Sequence, residues 1–149
     1  MKERKTGILS LFGLTGSYFL VRYPLFFLHG MKEWPFDLLV LGAVVITLSG
    51  LVYKGKVLPV LTAAGYLVGF FVGYLFQTDY GIDLNSLWLI WSGVYLACML
   101  LGFVADRRNV SPRAKRVIIG IAVILLTCGV VAALLLAAIA HGWIGPVPN

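Results

Sequence analysis

A set of polar side chains in the segments between apolar stretches is the part of this sequence best suited to chemistry. These side chains carry carboxylate, imidazole, amide and guanidinium groups near corresponding ends of successive apolar stretches. Together they have the chemistry to bind a cation or a charged lipid headgroup, or to titrate near neutral pH. We call them the polar cluster: Arg22, His29, Glu33, Asp37, Gln77, Asp79, Asp83 and Asn85.

The simplest role for this polar cluster is structural. Arg22 lies within an apolar stretch, where a charge needs a partner or a route to the interface, so we expect an ion pair with Asp37, Asp79 or Asp83. Asp83 or Asn85 is also suited to cap a following helix. A binding site in the cluster is the alternative interpretation.

Catalysis and metal binding are not favoured by the residue spacing. Metal sites usually place their ligands close together, as in His-x-x-x-His or Cys-x-x-Cys, and neither pattern occurs. The sequence also lacks the Gly-x-Ser-x-Gly and His-Glu-x-x-His motifs and a phosphate-binding loop. We therefore predict a protein that is not an enzyme and that has no metal and no cofactor.

The composition indicates which elements must position these polar residues. Hydrophobic residues make up 60% of the 149-residue chain and charged residues 12%, which is typical of a membrane protein and not of a soluble domain. The apolar residues form continuous runs without alternation. Because each backbone segment in lipid must satisfy its own hydrogen bonds, such runs predict membrane-spanning helices and exclude barrel strands.

Five apolar stretches are close to the roughly 20 residues that a helix needs to cross a bilayer. The sequence therefore predicts an all-α bundle of five transmembrane helices forming one domain over residues 1–149. Pro24 predicts a bend or unwinding in the first helix, because proline lacks a backbone donor. The predicted spans are 7–28, 36–53, 58–76, 86–104 and 117–140.

The distribution of basic residues predicts the orientation. Of the 12 Lys and Arg residues, all but Arg22 and Lys32 fall on one side of the predicted bundle. Basic loops remain in the cytoplasm, so the N-terminus is predicted to be cytoplasmic and the C-terminus, after five crossings, outside. We expect a multi-pass protein of a bacterial cytoplasmic membrane, with the polar cluster on its outer face.

A basic segment between the last two predicted spans has two interpretations. Its Lys and Arg residues mark the cytoplasmic side, and they are also suited to hold anionic lipid headgroups. Because the positive charge lies beside apolar runs, we predict no nucleic-acid partner. The candidate lipid contacts are Arg107, Arg108, Arg113, Lys115 and Arg116.

Three glycines in the third predicted span lie one helical turn apart and share a face. Gly65, Gly69 and Gly73 allow a neighbouring helix to approach closely, which is how helices associate in lipid. Packing within the chain is the favoured interpretation, and contact with a second chain is the alternative. We also expect all four tryptophans to form an aromatic belt at the outer interface: Trp34, Trp88, Trp91 and Trp143.

Three functions are compatible with these features. The favoured hypothesis is a non-enzymatic interaction or accessory subunit that associates with itself or with another membrane protein. The alternative is a small transporter or channel with a polar vestibule at the outer face, where Arg22 lies beside Pro24. A third possibility is an enzyme that acts on lipid headgroups through the acidic residues of the polar cluster.

Overall fold

The computed structural model describes residues 2–29, 31, 33–50, 55–77, 86–107 and 111–140, and every regular element within these ranges is helical. The chain therefore has an all-helical fold, with five long helices and one single-turn helix. In chain order the helices are α1 (Lys2–Arg22), α2 (Phe26–His29), α3 (Trp34–Leu48), α4 (Val57–Phe76), α5 (Leu87–Arg107) and α6 (Pro112–Ala140).

Three helices are long and apolar enough to cross a membrane, as judged by length and composition. They are α4, α5 and the 112–139 part of α6, and they give the chain the character of a membrane protein. Helix α3 is apolar but has only 15 residues. Helix α1 has 21 residues but begins with a strongly charged segment, KERK, which shortens its apolar part.

The helices differ from the predicted spans mainly at the basic ends. Helix α1 begins at Lys2, α5 continues to Arg107 and α6 begins at Pro112, so each passes beyond the apolar residues by which we predicted it. Lys and Arg are good helix formers, and a change in hydropathy therefore does not end a helix. Residues 51–53 of the second predicted span lie outside the described residues.

The predicted break at Pro24 is confirmed, and the first span 7–28 is not one continuous helix. Helix α1 ends at Arg22, a turn covers residues 23–25, and α2 follows. Because Pro24 has no N–H group, the carbonyl of Leu20 accepts instead from the N–H of Leu25 at 3.3 Å. The chain thus changes direction before it enters α3.

Helix α4 is the centre of the bundle. It contacts α1, α3, α5 and α6, and 72% of its most apolar 18-residue stretch is buried. The buried share of the corresponding stretch is 28% in α5 and 11% in α6. A helix that is apolar on every side is expected where neighbours surround it, and α4 has that character. Its Tyr66, Leu67 and Phe70 are fully buried.

Candidate functional site

The three glycines of α4 face α5. A Cβ atom added at Gly65 would lie 2.6 Å from Cys98 Cβ, and one added at Gly69 would lie 2.7 Å from Trp91 Cδ1. At Gly73 it would lie 2.9 Å from the carbonyl oxygen of Leu87. Because position increases along α4 as it decreases along α5, the two helices are antiparallel. The glycine face is therefore occupied by a helix of the same chain.

The contact between α4 and α5 continues toward the other end through a glycine on α5. A Cβ atom at Gly102 would lie 2.7 Å from the Cα atom of Leu58. The two backbones thus approach closely along most of their length, first across α4 glycines and then across an α5 glycine. Such close approach is the main source of helix association where no hydrophobic effect acts.

Trp91 lies in the core and not in an interfacial belt, so the expected position of this tryptophan is wrong. Its side chain is 0% exposed. Its indole Nε1–H donates to the carbonyl of Tyr66 at 2.8 Å, and the hydroxyl of Tyr66 donates to the carbonyl of Pro35 at 2.9 Å. Gly69 provides the space that the indole ring fills. The missing side chain on α4 thus explains why so large a residue is buried.

These aromatic rings fill the interior of the bundle. Trp91 packs edge to face against both Tyr66 and Phe70, with ring centroids 5.1 and 5.3 Å apart. Tyr95 packs against Tyr66 in the same way, and its buried hydroxyl, which has no hydrogen-bond partner among the described residues, lies against Gly42 of α3. The centre of the bundle is an aromatic core and not a polar passage.

Two other tryptophans do lie together near the start of α3. Trp34 and Trp88 pack edge to face at 5.4 Å, and Trp34 Nε1–H donates to the hydroxyl of Ser92 at 3.1 Å. Trp88 remains exposed and Trp34 is partly exposed. We call this end of the bundle the Trp34 end. Trp143 lies outside the described residues.

The guanidinium group of Arg22 lies over an aromatic ring. Its guanidinium carbon lies 5.3 Å from the centroid of the Phe26 ring, a cation–π contact across the break at Pro24. No ion pair joins Arg22 to Asp37 in the described part of the chain. Two further predicted partners, Asp79 and Asp83, lie outside the described residues, as does Asn85. A guanidinium over an aromatic face can remain partly buried without a carboxylate.

The side chain of His29 bonds to backbone groups on either side of α2. Its Nε2 lies 2.9 Å from the carbonyl oxygen of Val21, and its Nδ1 accepts from the N–H of Met31 at 3.0 Å. Since Nδ1 is an acceptor, the ring is neutral and carries its proton on Nε2, which donates to Val21. Desolvation lowers the pKa of His29, and the nearby positive charge of Arg22 lowers it further, against an opposing contribution from the bond to Val21.

The other described residues of the polar cluster lie at helix ends. Glu33 precedes α3 and makes no side-chain cap there, Asp37 is exposed in the first turn of α3, and Gln77 follows α4. Acidic side chains at a helix start interact favourably with the helix dipole. Among the residues that the structure describes, no three His, Cys, Asp or Glu side chains form a group that could hold a metal ion.

Asp106, at the opposite end, makes contacts that sequence reasoning missed. One carboxylate oxygen accepts from the N–H of Leu58 at 2.9 Å, both accept from Val57 at 3.2 Å, and one accepts from Lys56 at 3.3 Å. The carboxylate of α5 thus caps the start of α4. We call this the Asp106 end of the bundle.

A signal for this cap was present in the sequence. The residues before α4 are Gly55 and Lys56, and neither offers a side-chain acceptor for the free N–H groups of the first turn. Asp106 is an acid within an otherwise basic segment. Gly55 is required beside it, because a Cβ atom there would collide with the Asp106 carboxylate.

The candidate lipid contacts lie at the Asp106 end. Arg107 places its guanidinium carbon 4.8 Å from the centroid of the exposed Phe103 ring. Arg113 and Arg116 are exposed in the first turns of α6, and Lys115 is partly exposed. A small cavity of about 90 Å³ at this end is lined by Leu58, Phe103, Asp106 and Arg107. Arg108 lies outside the described residues.

Comparison with known proteins adds no relative to this description. The chain matches no protein-family model, no curated protein and no solved structure.

Proposed function

We propose that this chain is a five-span protein of the cytoplasmic membrane, with its N-terminus inside, that works without catalysis by associating with itself or with another membrane protein. The order and directions of the long helices support the five crossings. Helices α1 and α3 contribute the two shorter crossings. The basic residues at the Asp106 end favour a cytoplasmic position for that end.

The observation that carries the association is an unfilled pair of small residues on α5. Gly93 and Ala97 lie one turn apart and are exposed, and among the described residues no atom outside the helix lies within 4 Å of a Cβ added at Gly93. By contrast, the glycines of α4 are covered by α5 of the same chain: Gly65, Gly69 and Gly73. Small residues spaced by four are how helices approach in lipid. The same exposed face carries Leu89, Leu96 and Leu100.

Transport is less well supported by the packing. A carrier needs a polar path or an ionisable group near the middle of the membrane. The core between α4 and α5 is instead filled by Tyr66, Phe70 and Trp91, all fully buried. Flux into proteoliposomes that exceeds background and falls in an Arg22→Gln variant would favour the vestibule hypothesis over association.

The mass of the intact particle in mild detergent tests the association. We expect a particle that contains more than one protein chain, above the 16.3 kDa of a single copy. Gly93→Leu should reduce this particle to the single chain, with little loss of thermal stability because the site is exposed. Gly16→Leu is the matched control, since Gly16 is also an exposed glycine with an open surrounding.

Two results would contradict the proposal. One is a wild-type particle that contains a single chain only. The other is a Gly93→Leu particle of unchanged mass. Gly69→Leu is not a test of assembly, because Gly69 packs against Trp91 within the chain and its replacement disturbs the fold itself.

A further inference from the structure

The first turns of α6 place two arginines above an exposed apolar surface. Arg113 and Arg116 are both exposed and lie three residues apart, which puts them on one face of the helix. The same face continues away from the helix start without a polar residue for two further turns. We call these four residues the α6 apolar column: Val117, Gly120, Ile121 and Ile124, all exposed.

The backbone at the start of α6 is already capped. The hydroxyl of Ser111 accepts from the N–H of Ala114 at 3.2 Å, and the carbonyl of Ser111 accepts from Lys115 at 3.1 Å. A ligand at this position would therefore be held by side chains and not by the helix N-terminus. Arg116 Nε donates to the carbonyl of Pro112 at 3.4 Å, which directs the guanidinium toward the start of α6 and leaves its Nη hydrogens as further donors.

Carboxylates that would neutralise these arginines are absent from their own helix. Helix α6 contains no Asp or Glu in its sequence. The carboxylate of Asp106 is engaged by the N–H groups of α4. Two neighbouring guanidinium groups without a carboxylate on the helix favour an anion, and phosphate oxygens fit the planar arrangement of their donors.

The apolar column distinguishes a lipid from a free anion. We propose that this face of α6 binds an anionic phospholipid, with the phosphate between Arg113 and Arg116 and an acyl chain along the α6 apolar column. Gly120 leaves room for the chain, because no atom outside its own helical turns lies within 4 Å of a Cβ added there. A free phosphate would gain nothing from these apolar residues. The inference rests on the membrane placement proposed above, but not on association through α5.

Native mass spectrometry of the full chain tests this site. The purified protein is titrated with phosphatidylglycerol or with phosphatidylcholine of the same acyl chains, and inorganic phosphate is a third arm. We expect phosphatidylglycerol to bind at least about tenfold more tightly than phosphatidylcholine, and phosphate alone not to bind. Replacing both arginines, Arg113→Gln with Arg116→Gln, should weaken phosphatidylglycerol binding about 30-fold.

A matched control removes the same charge at the same end of the bundle. The Lys2→Gln and Lys5→Gln pair changes residues of α1 and none of α6, so it should weaken binding by about threefold or less because of screening. The Arg113→Lys and Arg116→Lys pair keeps the charge but lacks the planar donors, so it should bind phosphatidylglycerol more tightly than the glutamine pair and less tightly than the wild type.

Equal binding of the two lipids by the wild type would overturn the proposal, and this comparison needs no variant to fold. Equal losses of phosphatidylglycerol binding in the Arg113→Gln/Arg116→Gln pair and the Lys2→Gln/Lys5→Gln pair would also overturn it, because only overall charge would then matter. Lipid retention and particle mass are separate readouts. Failure of the lipid site therefore leaves association standing, and failure of association leaves the lipid site standing.

Discussion

At each end of the bundle an ionisable side chain bonds to free backbone groups, but one of these side chains is charged and the other is neutral. At the Asp106 end, an ionised carboxylate accepts from the free N–H groups that begin α4. At the Trp34 end, a neutral imidazole donates to a carbonyl freed by the break at Pro24 and accepts from Met31. Each side chain bonds to backbone groups of another segment that have no partner within their own helix.

This difference shows how surroundings decide which side chain is suitable. The start of a helix presents several N–H groups and a positive dipole, so a negative charge is favourable there. The break after α1 presents one acceptor and one donor beside Arg22, where a neutral group with one of each is better suited. The comparison therefore predicts that the Asp106 end depends on a charge and that the Trp34 end depends on the absence of one.

The largest effect is expected from Asp106→Ala. The variant leaves the N–H groups of Val57 and Leu58 without an acceptor and removes charge-assisted bonds, at a cost of about 3 kcal/mol in the free energy of unfolding. Unfolding by denaturing detergent, followed by circular dichroism, measures this cost. Asp37→Ala is the control, because Asp37 is an exposed acid in the first turn of α3 and should cost less than about 1 kcal/mol.

Gly55→Ala tests the same cap without removing the acid. The added Cβ would collide with the Asp106 carboxylate, which must move away from α4. We expect a loss of about 1 to 2 kcal/mol, smaller than for Asp106→Ala because part of the cap can re-form. Gly50→Ala has an open surrounding and serves as the comparison. Equal stabilities of the Gly55 and Gly50 variants would mean that the close approach is unimportant.

Acidification should act on the Trp34 end. The pKa of His29 is lowered in the folded protein, so the unfolded chain binds the proton more readily. Stability from His29 is thus fully present above its unfolded pKa of about 6.5 and is lost as the pH falls through the lower folded pKa. We expect the melting temperature to fall as the pH is lowered from about 8 to about 5.

His29→Phe isolates the contribution of the imidazole. This variant keeps an aromatic ring beside Phe70 but cannot titrate, so the same pH change should affect its melting temperature less than it affects the wild type. Identical pH dependence in the two proteins would remove His29 as the cause.

The smallest effect is expected from Trp34→Phe. The variant keeps a ring to pack against Trp88 but loses the hydrogen bond to the Ser92 hydroxyl, at a cost of about 0.5 to 1 kcal/mol. Ser92→Ala should cost about the same, and the double variant should cost little more than either one. A fully additive double variant would show that this bond does not join α3 to α5.

The sequence predicted the helical class and the approximate positions of the long helices, because continuous apolar runs and proline act locally. It predicted the break at Pro24 for the same reason. It did not predict that Trp91 is buried, since that depends on the space left by Gly69 on another helix. It also did not predict the contact of Arg22 with the Phe26 ring, because the charge of Arg22 suggested only acidic partners.

The Asp106 cap could be anticipated only in part. The sequence indicates that α4 begins without a local cap, and it contains an unexplained acid 50 residues away from Lys56. Joining the two requires knowing that α4 and α5 pack antiparallel. Long-range contacts of this kind depend on which helices are neighbours, and neither hydropathy nor glycine spacing specifies neighbours.

The position of this cap affects the order in which the protein can be completed during synthesis. When the ribosome has translated α4, which ends at Phe76, the codon for Asp106 has not yet been read, and the first turn of α4 lacks this acceptor until about 30 more residues are added. A nascent chain that stops between the two helices should therefore have a frayed start of α4. We expect such truncated chains to be sensitive to membrane proteases at that point, and protection to begin only once α5 has been inserted.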